Sequence, residues 1–178
     1  MNIVFIGGRG TGKSTVSQAV ATHFNRKCWV ADDLITYEKS GQSIPEMVKE
    51  KGWHHFRDVE YQVINKLSGF NNIVIDSGGG AVTDLNEEGK QIFSERKVTA
   101  LKKNSYVIWL QTPIAIACQR IGEDPNRPSL TGKSPLEEMQ EIITLRSPWY
   151  EKAANTTFDT SVTSIQQIIE TLIPIISK

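Results

Sequence analysis

The stretch Gly7–Val16, GGRGTGKSTV, follows directly on the apolar run Asn2–Ile6, NIVFI. From Gly7 the spacing reads G-x-x-x-x-G-K-S, closed by Lys13 and Ser14, which is the signature of a loop that wraps phosphate. Glycines at Gly7, Gly10 and Gly12 tolerate positive φ and let backbone N–H groups turn inward around phosphate oxygens. Lys13 brings a cation to the β- and γ-phosphates, and the Ser14 hydroxyl is placed to ligate Mg²⁺. Asn2–Ile6 is short and rich in β-branched residues, as a buried strand is. Beyond Ser14, apolar residues fall at Val16, Ala19, Val20 and Phe24, which is helical spacing. Strand, glycine loop and helix in this order put a bound phosphate at a helix N-terminus, where orphan N–H groups and the helix dipole favour an anion.

Outward from this unit, strand-like segments recur at Lys27–Val30, Asn72–Ile75, Tyr106–Leu110 and Thr156–Asp159, with helical patterns between them. The alternation predicts an α/β fold: a three-layer α/β/α sandwich around a five-stranded, mostly parallel sheet. The region between the second and third strands is long and helical. SIPE at Ser43–Glu46 is a capping box with Pro45 just inside the helix, and Trp53, Phe56, Val59, Val63 and Leu67 mark the buried face of a second helix. Arg57 and Glu60 stand opposite that face, one turn apart, which by itself describes a solvated ion pair. Gly122–Pro135, GEDPNRPSLTGKSP, has three prolines, two glycines and no hydrophobic period, as a lid over residues 121–136 would. A last helix near Ser164–Ser177 carries Ile165, Ile168, Ile169, Leu172 and Ile175 and is expected to be structural.

Bulk properties narrow the partners. A chain of 178 residues is expected to form a single domain, 1–178, that buries roughly 70% of its unfolded surface. Zero formal net charge and a pI of 6.8 leave no electrostatic footprint for nucleic acid or an anionic membrane, so a small molecule is the expected partner and a monomer the expected state. Two cysteines, Cys28 and Cys118, fit reduced thiols better than a disulfide framework. No apolar run approaches the length of a membrane span and MNIVFIGG lacks the features of a signal peptide, so a cytoplasmic enzyme is expected. The three histidines, His23, His54 and His55, show no metal spacing, and Trp29, Trp53, Trp109 and Trp149 read as packing residues.

A phosphate loop names a nucleotide, not a reaction. Motor and transport ATPases need partner domains that this length cannot hold. NKLS at Asn65–Ser68 lacks the aspartate of the guanine-reading N-K-x-D, which disfavours a GTPase. A small-molecule or nucleotide kinase remains.

Through GGRGTGKST, DDLITYEKSGQSI, FRDVE, SGGGAV, NRP and RSPWY, in order and nearly end to end, the chain resembles the shikimate kinases. The resemblance implies the phosphate-loop NTPase fold of the nucleoside monophosphate kinase type, with ATP and Mg²⁺ as cofactors and shikimate as acceptor. It implies that Gly8, Gly10, Thr11, Gly12, Lys13, Ser14 and Thr15 hold the ATP phosphates and that Arg120 lies against the adenine. Arg127 would close over the transferring phosphate from the lid. Asp33 would hold the acceptor hydroxyls and act as base or orienting group, within a substrate-binding helical region at about 33–62. Arg57 and Arg146 would grip the substrate carboxylate, Glu60 would orient Arg57, and Gly78, Gly79 and Gly80 would leave bare backbone beside the ring. The bidentate guanidinium suits a carboxylate, and the glycines stand where ligands of open α/β sheets bind.

One position departs from the family pattern. Two residues before Asp33 the family writes an aspartate that helps hold the Mg²⁺ water shell, and this chain has Ala31. Asp76, at the end of the third strand, is the expected replacement, ahead of Asp32, which would point the other way if its strand continued. Two alternatives accompany the main reading: a kinase for another small polyol acid such as gluconate, and a non-catalytic binding protein of the same build.

Overall fold

A computed structural model describes residues 1–121 and 134–176 of the chain. Its elements run β1 (Asn2–Ile6), α1 (Lys13–His23), β2 (Lys27–Val30), α2 (Ala31–Glu38), α3 (Ile44–Leu67), β3 (Ile73–Asp76), β4 (Thr83–Leu85) and β5 (Gln91–Phe93). They continue with α4 (Glu95–Lys102), β6 (Ser105–Gln111), α5 (Ile114–Ile121), α6 (Pro135–Ala153), β7 (Thr156–Asp159) and α7 (Ile165–Ile176). Five strands form one parallel sheet in the order β2-β3-β1-β6-β7. The strands β4 and β5 form a separate antiparallel hairpin.

The central strand shows why the sheet needs two helical layers. All of β1 is buried, with Val4 and Ile6 entering one core and Ile3 and Phe5 the other. A parallel strand covered on both faces has no polar alternation, which is why Asn2–Ile6 reads as a continuous apolar run. Helices α1 and α7 close one side through Val16, Val20, Ile168 and Leu172. Helices α2, α3, α4 and α6 close the other through Ile35, Phe56, Val63, Leu101 and Tyr150.

The helix α3 opens with the expected capping box, in which the Ser43 backbone N–H donates to Glu46 and the Glu46 N–H to the Ser43 hydroxyl. Gly52, at φ 80°, breaks it into two helical pieces. Phe56, Val59, Val63 and Leu67 are buried on the expected face. The opposite side corrects the sequence reading: Arg57 and Glu60 are buried as well, because α4 and β4 pack over them and leave no solvated face there.

Strand order sets the position of the site. In the register of β1 with β3, Phe5 lies beside Asp76, and the Ser77 N–H donates to the Phe5 carbonyl. The glycine loop after β1 and the glycine triplet after β3 therefore leave the same edge of the sheet side by side. The chain turns to β3 on one side of β1 and to β6 on the other, and ligands of open α/β sheets bind at the carboxyl edge of such a switch point.

Candidate active site

The loop is built from backbone. Gly12 is the N-cap of α1 in the left-handed conformation, φ 83°, and no side chain caps the helix, so the first-turn N–H groups face the loop interior. The Thr11 hydroxyl and the Lys13 ammonium both donate to the Gly8 carbonyl, at 2.9 and 2.8 Å, which folds the loop on itself. Arg120, from the last turn of α5, donates to the Gly10 carbonyl and to the hydroxyl and carbonyl of Thr160, which fastens it along the outer side of the loop. Ser14 and Thr15 are exposed in the first turn of α1.

From the neighbouring strand, buried Asp76 stands beside the Ser14 hydroxyl. Burial pushes the Asp76 carboxyl above the usual range and Asp33 adds to this, against the pull of Ser14 and Lys13. A serine hydroxyl on a buried carboxylate beside a phosphate loop is a donor set of oxygens suited to Mg²⁺ and its waters.

Of the two aspartates after β2, Asp32 is placed differently from expectation. The strand does not continue through them; α2 starts at Ala31, so Asp32 is helical and its carboxylate turns back over Gly78. A Cβ on Gly78 would stand 2.6 Å from Asp32 Oδ1 and 3.4 Å from Glu60 Oε1. Although Asp32 is open to solvent at its surface, its carboxyl is hemmed in by protein. That crowding and then the charge of Glu60 push it up to about 6, with Lys13 opposing. Asp33 is exposed in the first turn of α2 and close enough to act on Asp76.

Across from the loop lies a cationic floor. Arg57 donates from NH1 to Glu60 Oε2 at 2.8 Å, with its guanidinium over the rings of Phe56 and Trp53 at 5.0 and 5.5 Å. It fits only because the third glycine is bare: a Cβ on Gly80 would lie 2.1 Å from Arg57 NH1. Arg57 Nε is a buried donor with no hydrogen-bond partner among the described residues. Arg146 reaches the same place from α6, donating to the Gly79 carbonyl and to the Gln91 side chain, both at 2.9 Å. The Tyr150 hydroxyl donates to the same carbonyl.

Lys97, from α4, lies behind Glu60 and is fully buried, and its ammonium donates to Glu60 Oε2 at 2.5 Å and to the Thr83 carbonyl. Burial alone would raise the Glu60 carboxyl, but Arg57 and Lys97 outweigh it and hold it below the usual range. With two cations on one oxygen, Glu60 is the ionised centre of the group.

The structure thus brings Arg57, Glu60, Gly78, Gly79, Gly80 and Arg146 together on one side and Lys13, Ser14 and Asp76 on the other. Arg127 and most of the proposed lid lie outside the described residues. Sequence reasoning missed Lys97 and Gln91. Lys97 stands four residues before buried Leu101, on the inner stripe of α4, and that misplaced lysine is the signal that could have found it.

A glycine loop leading from the central strand of a parallel sheet into a helix places this chain among the phosphate-loop nucleotide-binding proteins. Comparison narrows the class. The family model for shikimate kinase matches residues 9–177. The chain is 36% identical to the shikimate kinase of Leptospira biflexa over 155 residues, covering 87% of this chain and 84% of that one. It is 34% identical to the shikimate kinase of Syntrophus aciditrophicus over 184 residues, covering 97% and 89%. A solved structure of shikimate kinase from Acinetobacter baumannii in complex with shikimate matches with a TM-score of 0.84 at 28% identity, covering 99% of this chain and 92% of that one. The chain belongs to the shikimate kinase family.

Proposed function

We propose that this chain transfers the γ-phosphoryl group of ATP to the 3-hydroxyl of shikimate. The floor carries the reading. Arg57, Lys97 and Arg146 put three buried cations around the buried carboxylate of Glu60, with Asp84 3.8 Å from the Lys97 ammonium, and the hydrogen-bond partners of Arg146 among the described residues are neutral. Buried cations without counter-charge are costly, and a small acid seated on this floor supplies the missing anion. The bare glycines let Arg57 and Asp32 close on the backbone beside that seat.

The chain's residues divide the work by place. The loop N–H groups and Lys13 hold the β- and γ-phosphates. Ser14 and Asp76 would hold Mg²⁺ and its waters, and the metal when bound neutralises charge on the transferring phosphoryl group. Asp33 carries the family correspondence for the acceptor hydroxyls, as base or orienting group, and Asp32 over Gly78 puts a second carboxylate within reach of the same floor. Arg120, fastened beside the loop, would take the adenine, and Arg127 the transferring phosphate, from a lid at 121–136. Catalysis is then mostly positioning and charge neutralisation. The chain would work as one domain, as a monomer in the cytoplasm; its neutral charge and two free cysteines support that setting.

Coupled ADP release measured with shikimate, with gluconate and with no acceptor tests the reading. Shikimate-dependent release is the expected outcome. Equal rates in all three reactions from folded protein, or preference for gluconate, would overturn it.

A further inference from the structure

We propose that Lys97 is a positioning residue for the acceptor: it locks Glu60, and through Glu60 the guanidinium of Arg57, in the geometry that receives the substrate carboxylate. The inference rests on the floor being the shikimate seat and adds a residue that the family motifs do not contain.

A lysine with 0% exposure is an expensive way to fill the inner face of α4, since an ammonium loses its hydration there. An apolar side chain would pack at the same place without that cost, so the physical account of Lys97 lies in what its ammonium holds. It holds two things. One is Glu60 Oε2, the oxygen that also accepts from Arg57. The other is the Thr83 carbonyl, at the start of β4. Asp84 stands 3.8 Å from the ammonium but spends its hydrogen bonds on Ser94 and Arg96.

The consequence for Arg57 is geometric. Its guanidinium is confined by the rings of Phe56 and Trp53 and by the backbone at Gly80, and its remaining freedom is set by the carboxylate of Glu60. Glu60 sits one turn away on the same helix, where a lone carboxylate has several rotamers. Lys97, on a different helix, removes that choice. The hairpin completes the arrangement: β4 anchors Lys97 through Thr83, and Gln91 of β5 holds Arg146. Both arginines that face the acceptor are thereby tied to one short hairpin.

A double-mutant cycle tests this, read as KM for shikimate and for ATP and as kcat. Lys97→Met is expected to raise KM for shikimate by about tenfold or more while KM for ATP stays within a factor of about two. In an Arg57→Ala background the same substitution is expected to add nothing to KM for shikimate, because the group it acts through is gone. Equal effects of Lys97→Met with and without Arg57, or parallel losses in both KM values, would overturn the proposal.

Lys97→Met leaves Glu60 with one cation instead of two, so the charge-reduced pair Glu60→Gln/Lys97→Met is the second variant. It is expected to melt at or above the temperature of Lys97→Met yet keep the raised KM for shikimate. Recovery of KM together with stability would show a role confined to folding and sink the proposal even if the single variant fails to fold. The wild-type and Arg57→Ala controls separate two failures. No shikimate turnover in the wild type, or no effect of Arg57→Ala, removes the reading of the floor. A normal Lys97→Met beside a defective Arg57→Ala removes only the role of Lys97.

Discussion

The phosphate loop and the acceptor floor meet at Gly79, where an added Cβ would stand 3.6 Å from the Gly7 carbonyl and whose own carbonyl holds Arg146. They are built by opposite means. The loop is a run of consecutive residues that would recognise its ligand with backbone N–H groups, and its cation, Lys13, is partly exposed and stands outside the core. The floor is drawn from α3, the triplet after β3, the hairpin, α4 and α6, and what it offers a ligand is buried side-chain charge. A ligand seat made of backbone depends on local conformation and can lose its chemistry while the fold stands. A seat made of buried charge is part of the packing, so its residues answer to binding and stability together.

The sharpest contrast comes from one cation on each side. Lys13→Ala is expected to cut phosphoryl transfer by about 10²–10³-fold or more with little change in melting temperature, since its ammonium stands in the loop, on the Gly8 carbonyl, and outside the core. Normal turnover in that variant would break the comparison at its strongest point. Arg146→Ala is expected to weaken shikimate binding by about 2–3 kcal/mol while ATP affinity measured without shikimate is unchanged. Calorimetry showing both affinities lowered equally would mean that the two seats are not separate.

At the boundary between the seats, Asp76→Asn is expected to raise the Mg²⁺ concentration for half-maximal activity by roughly ten- to hundredfold, against a small effect of Asp32→Asn. The reverse order would hand the metal waters to Asp32. The smallest effect concerns Asp32 without ligands. Its folded carboxyl titrates near about 6 against 3.8 for the free side chain, so between these values the folded state binds the proton that the unfolded state has released. Stability from this group therefore falls as pH rises through that window and is gone above it. Asp32→Asn is expected to flatten part of the decline in melting temperature between pH 4 and 7, Asp76 supplying the rest with the same sign; an unchanged slope would show that Asp32 titrates normally.

The same division governs what the sequence could reveal. The loop and the five sheet strands were legible because each is a local pattern: glycine spacing, short β-branched runs, helical period. Asp76 was legible because a strand end fixes its direction. The floor was legible only through family motifs, since nothing within α3 says which element covers the face that carries Arg57 and Glu60. The hairpin strands span three residues each, too few for a period to show. Lys97 was missed because lysine is rarely fully buried unless paired, and its partner Glu60 lies 37 residues away. Asp32 was misplaced because β2 passes into α2 without a turn residue, so the side-chain phase changes from strand to helix at Ala31 with no marker.

Helix α6 touches both seats. Ile143 lies against the loop, where a Cβ on Gly8 would meet it at 2.5 Å, and one turn on Arg146 spans the floor to Gly79. A helix is stiff over so short a distance, so any displacement of Ile143 would be carried to the Arg146 guanidinium. Thermodynamic linkage makes the transmission symmetrical: the factor by which bound nucleotide changes affinity for the acceptor equals the factor by which bound acceptor changes affinity for the nucleotide.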